Sequence, residues 1–225
     1  MNGKSGGALR LVLFGPPGVG KGTQAAVLQE RRRIPHVSTG DMLRAAIRTG
    51  TPVGLQAKAI VERGELVPDA LISALVGERL EGDDVRCGFI LDGFPRTVTQ
   101  AEFLDRALLA RGMVLDRVIN LTLPEEDIID RLTGRRVCVR CGANYHLQLK
   151  PPRVVEACDV CCGPLSQRKD DSQEVIRDRL RVYGDWTAPV LEHYRGRGLL
   201  IEVDGRGAPG EVAERIGRAL RKPAA

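Results

Sequence analysis

Aromatic residues are scarce: four Phe, three Tyr and one Trp in 225 residues. A core must then come from Val, Leu, Ile and Ala, which suits helices packed on a β-sheet. Lysine is scarce as well, six against 28 arginines. No apolar run approaches the ~20 residues of a membrane-spanning helix, so a soluble protein is expected. The segment Met1 to Gly7 lacks the apolar stretch of about 7–15 residues that a secretory signal requires, and residues 1–8 read as a short disordered tail. Without export, paired disulfides are not expected, and the six cysteines become thiols, metal ligands or small apolar residues. What the chain does have, 43% hydrophobic residues and a net charge of +5, excludes intrinsic disorder and permits a polyanionic partner, either nucleic acid or small phosphates. An overall preference for Arg would give the same charge.

Short apolar runs alternate with helical patterns. Leu9–Phe14 reads as a buried strand that stops at Gly15-Pro16-Pro17-Gly18, and a helix follows from Gly20 to about Glu30. His36–Ser38 is a candidate second strand. Ser38 or Thr39 then opens a helix to about Arg48, and Thr51-Pro52 opens another to about Glu62. A helix over 69–81, strand 88–92, helix 98–110, strand 117–122, a helix from Pro124, strand 199–203 and helix 209–221 complete the pattern. This is the signature of a parallel sheet wrapped by helices, with 38–67 as a helical insertion. The interval 137–167 breaks the alternation and reads as a small β module; Ser172 to Tyr194 reads as one long helical segment with a kink or break at Pro189. No repeats or low-complexity linkers are present.

Gly15-Pro16-Pro17-Gly18-Val19-Gly20-Lys21-Gly22-Thr23 lies between a buried strand and a helix, the setting of a phosphate-binding loop. Its glycines let backbone N–H groups turn inward, the helix N-terminus adds partial positive charge, and Lys21 adds a full one. Gly22 stands where Ser or Thr usually binds Mg²⁺, with Thr23 one step later, so the metal must be held differently. Dinucleotide-binding glycine spacing is absent. Cys138 and Cys141, then Cys158 and Cys161, form two pairs with two-residue gaps, sixteen residues apart. That spacing suits one tetrahedral, structural Zn²⁺. Cys162 could replace Cys161 if the turn slipped by one residue. Cys87, next to a core strand, reads as a small buried residue, and none of His36, His146 and His193 is needed as a ligand.

Gly18–Gln24, Ser38–Arg44 (Ser-Thr-Gly-Asp-Met-Leu-Arg) and Leu91–Thr97 (Leu-Asp-Gly-Phe-Pro-Arg-Thr), with the four-cysteine insert, closely resemble the adenylate kinase family of bacterial type, from about Leu9 to Leu220. The resemblance implies a five-stranded parallel P-loop sheet in three segments, 9–37, 68–136 and 168–222. It also implies a nucleoside-monophosphate-binding insertion over 38–67 and a zinc-bearing lid over 137–167, both closing over substrates. It implies reversible transfer of the terminal phosphoryl of Mg-bound ATP onto AMP, giving two ADP, in adenine nucleotide homeostasis. Its attacking oxygen is already anionic, so alignment and charge neutralisation suffice.

By similarity, Gly18, Val19, Gly20, Lys21, Gly22 and Thr23 hold the ATP phosphates, and Asp92 orients Mg²⁺ through water. Thr39, the backbone of Glu65, Leu66 and Val67, the run Gly93, Phe94 and Pro95, and Gln100 border AMP. Arg44 and Arg96 grip its phosphate; Arg135, Arg168 and Arg179 close over the phosphates, with Arg131 and Arg136 as auxiliaries. Asn144 and Tyr145 cover the ATP base or ribose, and Gly207 offers a backbone contact to adenine. The resemblance further implies a cytoplasmic monomer whose partners are ATP, AMP and ADP, with no nucleic acid or membrane. Two alternatives stand beside it: a kinase for UMP/CMP or GMP, and a zinc-ribbon NTPase that binds nucleic acid. Loading Zn²⁺ on four thiolates would lower the formal +5 to about +3.

Overall fold

The computed structural model describes residues 8–63 and 65–221; the segment 1–7 of the expected tail lies outside them. Five parallel strands, β1 (Leu9–Phe14), β2 (His36–Ser38), β3 (Gly88–Asp92), β4 (Arg117–Thr122) and β8 (Leu200–Asp204), form one sheet in the order β2-β3-β1-β4-β8. The all-parallel sheet requires a helical crossover between neighbours, as the sequence alternation implied.

Period-two alternation in β1 divides the core. Leu11 and Leu13 face α1 (Lys21–Arg32) and α9 (Pro209–Ala219), joining Ile90, Ile119 and Ile216. Val12 and Phe14 face the opposite side, among Ile72 and Val76 of α4 (Asp69–Arg79), Leu104 of α5 (Val98–Leu109) and Tyr194 of α8 (Ala188–Arg195). All these side chains are buried. With both faces covered, the sheet leaves its strand C-terminal ends as the natural ligand crevice.

The 38–67 stretch folds as α2 (Thr39–Thr49) and α3 (Pro52–Glu62). Ser38 caps α2 by accepting from Asp41 N–H at 3.2 Å, and Thr51 caps α3 by accepting from Gly54 N–H at 3.1 Å. After α6 (Glu125–Thr133), strands β5 (Arg135–Cys138), β6 (Asn144–His146) and β7 (Leu165–Ser166) make an antiparallel sheet in the order β6-β5-β7. Among the described residues its buried core is Cys138, Tyr145 and Cys158, with Ala143, Cys161 and Leu165 partly buried against them.

One expectation is met in outline and one is corrected. The 172–194 segment is helical throughout, with its break just before Pro189: α7 (Gln173–Val182) passes into a π-helical turn, Tyr183–Thr187, before α8 begins, with Pro189 in the first turn of α8. Pro there removes a donor that the first turn does not need. Cys87 is exposed rather than buried, because it ends a short 3-10 turn (Asp83–Cys87) ahead of β3 instead of joining the strand.

Candidate functional site

At the C-terminal end of β1 the chain turns through Gly15 to Gly20 into α1. Gly18 and Gly20 have φ of 81° and 103°, and a Cβ on Gly18 would lie 2.7 Å from Leu132 Cγ. The turn therefore both reverses the chain and presses against α6. No side chain caps α1 and no acid lies in its first turn, so the N–H groups of that end are left for a ligand. Lys21 Nζ donates to the carbonyls of Gly15 and Pro16 at 2.7 and 2.9 Å. Burial pushes its ammonium down to about 8; Asp92 opposes the shift, and Arg96, Arg179 and Arg135 reinforce it.

This loop floors a cleft of about 1330 Å³, larger than the roughly 300–1,000 Å³ of most single-ligand sites. Arg44, Arg96, Arg135, Arg168 and Arg179 all line it. They divide by partner. Arg44 pairs with Asp41 at 2.7 Å, Arg179 with Asp170 at 2.9 Å, and Arg135 with the fully buried Asp171. Among the described residues, Lys21, Arg96 and Arg168 have no carboxylate within ion-pair distance; Arg96 donates from Nε to Gly93 O at 2.8 Å, and Arg168 Nε is buried without a partner. Burial first, then neighbouring arginines, push Arg96 and Arg168 down to about 10. Arg179 is lowered by burial too, against the pull of Asp170. Half-buried cations lining one cleft without counter-ions are arranged to receive an anion.

Asp92 ends β3 facing α1: a Cβ on Gly22 would lie 3.6 Å from its Oδ2. The same oxygen is 3.3 Å from Nε2 of His36, the first residue of neighbouring β2. A strand-end carboxylate on the wall of a cationic cleft that Thr23 also lines suits a hard divalent ion kept largely hydrated.

The motif residues expected to border the second nucleotide are split by the fold. Ser38, Gly40, Leu66, Gly93, Phe94 and Pro95 line the cleft. Thr39 and Gln100 lie behind its wall, 1% and 2% exposed. Thr39 Oγ1 donates to Asp92 O at 3.2 Å; Gln100 accepts from Arg96 N–H at 2.7 Å and donates to Asp69 at 2.6 Å. Its amide still has one N–H and one lone pair to offer. Glu65 is exposed and forked by Arg63, and Val67 is buried in the core.

Opposite, Asn144 and Tyr145 line the cleft from β6, and Gly207 from the loop after β8. The Tyr145 side chain is committed elsewhere: it is 5% exposed and its hydroxyl points into the cysteine cluster. A stacking role for its ring on a base is thus not served by this arrangement. Arg131 ties the two loops together, donating to Val19 O and Gly205 O, both at 3.2 Å. Arg136 instead donates to carbonyls at its own strand end, Thr133 and Arg135.

The sulfurs of Cys138, Cys141, Cys158 and Cys161 all lie within 4.8 Å of one another, with Cys138–Cys161 at 3.4 Å and Cys141–Cys158 at 3.5 Å. Four thiolates about 2.3 Å from a tetrahedral ion would stand about 3.8 Å apart, so the donor set fits a metal ion. Cys162 is exposed, in a left-handed conformation (φ 54°), outside this group.

Sequence reasoning missed the acids that arrange the arginines, Asp170, Asp171 and Asp41, and Asp69, which holds Thr97 and Gln100. The Asp170-Asp171 doublet, two residues after Arg168 where the β module rejoins the helices, was the available signal. His36 was also passed over as a partner for Asp92.

A protein-family model described as "Adenylate kinase" matches residues 13–199. A protein named "Adenylate kinase" from Moorella thermoacetica is 54% identical over 212 residues, covering 94% of this chain and 98% of that protein. Its namesake from Carboxydothermus hydrogenoformans is 50% identical over 214 residues, 95% of this chain and 100% of that protein. One from Methanocella arvoryzae is 50% identical over 214 residues, 95% and 99% of the two chains.

Proposed function

The chain belongs to the adenylate kinase family of nucleoside monophosphate phosphotransferases, and we propose that it reversibly transfers the terminal phosphoryl group of ATP to AMP, giving two ADP. The observation that carries this reading is the trio Lys21, Arg96 and Arg168, half-buried in one cleft and, among the described residues, without carboxylate partners. Phosphates would supply the missing negative charge.

In this reading the loop Gly18, Val19, Gly20, Lys21, Gly22 and Thr23 cradles the donor phosphates. Lys21 leaves the Gly15 and Pro16 carbonyls to follow the transferred group. Arg44 and Arg96 hold the acceptor phosphate, while Arg135, Arg168 and Arg179 neutralise charge spreading over the equatorial oxygens. The attacking phosphate oxygen needs no base, so these residues contribute alignment and field. Asp92 and Thr23 would hold Mg²⁺, which when bound screens the donor phosphates. The acceptor base falls to Thr39, the backbone of 65–67 and the remaining amide capacity of Gln100; the donor base falls to Arg131, Asn144, the Tyr145 backbone and Gly207.

The segments 38–67 and 137–167 are assigned as the acceptor-binding insertion and the lid on the 9–37, 68–136 and 168–222 core, closing to exclude water. Glu62 of the insertion is 2.8 Å from Lys169, two residues beyond the lid. The four cysteines are assigned one structural Zn²⁺, leaving no open coordination site. Tyr145, the one aromatic residue of 137–167, is buried, so this module offers no base-stacking platform for nucleic acid. All the assigned groups come from one chain, in keeping with a monomer; the proposed role is adenine nucleotide balance in the cytoplasm. Turnover with AMP, CMP, UMP and GMP at matched concentration tests the acceptor: AMP should lead by at least ~10-fold, the scale of one lost polar contact, and equal use of CMP or UMP would overturn the assignment.

A further inference from the structure

The Tyr145 side chain joins strand β6 to the cysteine cluster. Its hydroxyl lies 3.4 Å from Cys158 Sγ and accepts from the Asp159 N–H at 2.8 Å. Because that backbone donor occupies one lone pair, the hydroxyl's own proton is free to point at the sulfur. Cys158 also accepts from the Val160 N–H at 3.4 Å. No other cluster sulfur has a side-chain hydroxyl partner among the described residues. The ring is buried against Cys138 and Cys158, with Lys150 Nζ 5.5 Å from its centroid, and its strand lines the nucleotide cleft. Tyr145 also pairs in register with Arg136, next to the pair of Arg135 and His146.

We infer that Tyr145 is a positioning residue for the metal, donating its hydroxyl hydrogen bond to the Cys158 thiolate and so fixing the β6 wall of the cleft to the metal knuckle. The inference rests on the metal reading of the four cysteines. A thiolate bound to a cation still carries excess negative charge, and an oriented O–H relieves it, as outer partners of metal ligands generally do. Metal loading then locks the tyrosine, and the tyrosine locks Asn144 and the start of β5 where the donor nucleotide is assigned.

The test is Co²⁺ substitution of wild-type protein, Y145F and K150A, with metal affinity measured by chelator competition and the thiolate-to-Co²⁺ charge-transfer band recorded at saturation. Y145F should bind the metal about 10- to 100-fold more weakly. Its charge-transfer band should move to longer wavelength, because a thiolate without its hydrogen bond is a better electron donor. Its KM for ATP should rise more than its KM for AMP. K150A, which removes the cation and leaves the hydroxyl, should keep wild-type affinity and spectrum. The saturated spectrum reports the sulfur even if apo Y145F folds poorly. A Y145F protein with affinity within twofold of wild type and an unmoved band overturns the inference, as does a K150A protein that loses metal equally. A wild-type chain that takes up neither Co²⁺ nor Zn²⁺ overturns the metal reading and this inference with it.

Discussion

Arg135 and Asp171 form a forked pair: Nε donates to Oδ2 at 2.7 Å and Nη2 donates to Oδ1, with the carboxylate fully buried and Arg179 3.6 Å away. The acid fixes two cleft arginines at once, where the lid strand meets α7. Asp171→Ala leaves the Arg135 guanidinium without its carboxylate and Arg179 with Asp170 alone. Breaking one partner of a buried pair costs about 3–5 kcal/mol, and misplacing a phosphate clamp by an ångström costs about 100-fold in rate. Thermal melting and steady-state kinetics check both, and a variant melting within a degree of wild type with full kcat would show that Asp171 does neither.

Removal of the metal should act mainly on the lid. A three-stranded module whose buried core is two cysteines and a tyrosine cannot stand on hydrophobic burial. Structural zinc sites supply apparent binding energies of roughly 10–16 kcal/mol. One zinc per chain should be found by elemental analysis, and chelation should lower the melting temperature and abolish turnover. A metal-free sample that is active and melts cooperatively at the original temperature would contradict this.

These two predictions differ in how much the sequence disclosed. The cysteine spacing, the phosphate loop and the alternation of strand and helix were legible because each is a local pattern with one physical solution. Asp171 was not, because its meaning depends on Arg135, 36 residues away, reaching the same point. Gln100 was legible as a motif residue, but its engagement with Asp69 belongs to tertiary structure. Cys87 was misread because an apolar neighbour in sequence does not reveal that a 3-10 turn directs the side chain outward. Pro189 signalled a break, but not that it takes the form of a widened turn over Tyr183–Thr187.

Gly54 tests the acceptor insertion. A Cβ there would lie 2.1 Å from the carbonyl oxygen of Ala46, so α2 and α3 meet backbone to backbone. Gly54→Ala must separate them, at a cost of about 1–3 kcal/mol for overpacking. The KM for AMP should rise well above its wild-type value while the KM for ATP changes little. Equal rises for both substrates would place the insertion elsewhere in the mechanism.

The depressed Lys21 sets a pH limit. Its ammonium titrates near 8 in the free protein rather than at its ordinary 10.5. Below 8 it is charged and ready for phosphate; above 8 binding must first recover a proton. The kcat/KM for ATP should therefore fall as pH rises through about 8, whereas kcat, reporting the complex in which phosphate restores the charge, should fall only at higher pH. The same shift means the folded state binds fewer protons than the unfolded one between about 8 and 10.5, so Lys21's contribution to stability rises across that window. A kcat/KM profile flat to pH 9.5 would contradict the assignment.

The most direct measurement is a coupled assay of ADP formation from ATP and AMP, comparing wild type with Lys21→Met. The account predicts ADP formation by the wild-type protein and a loss of about 100-fold or more in the variant, since a charge directed at the transferring phosphoryl group is removed. A variant within about threefold of wild type would contradict it.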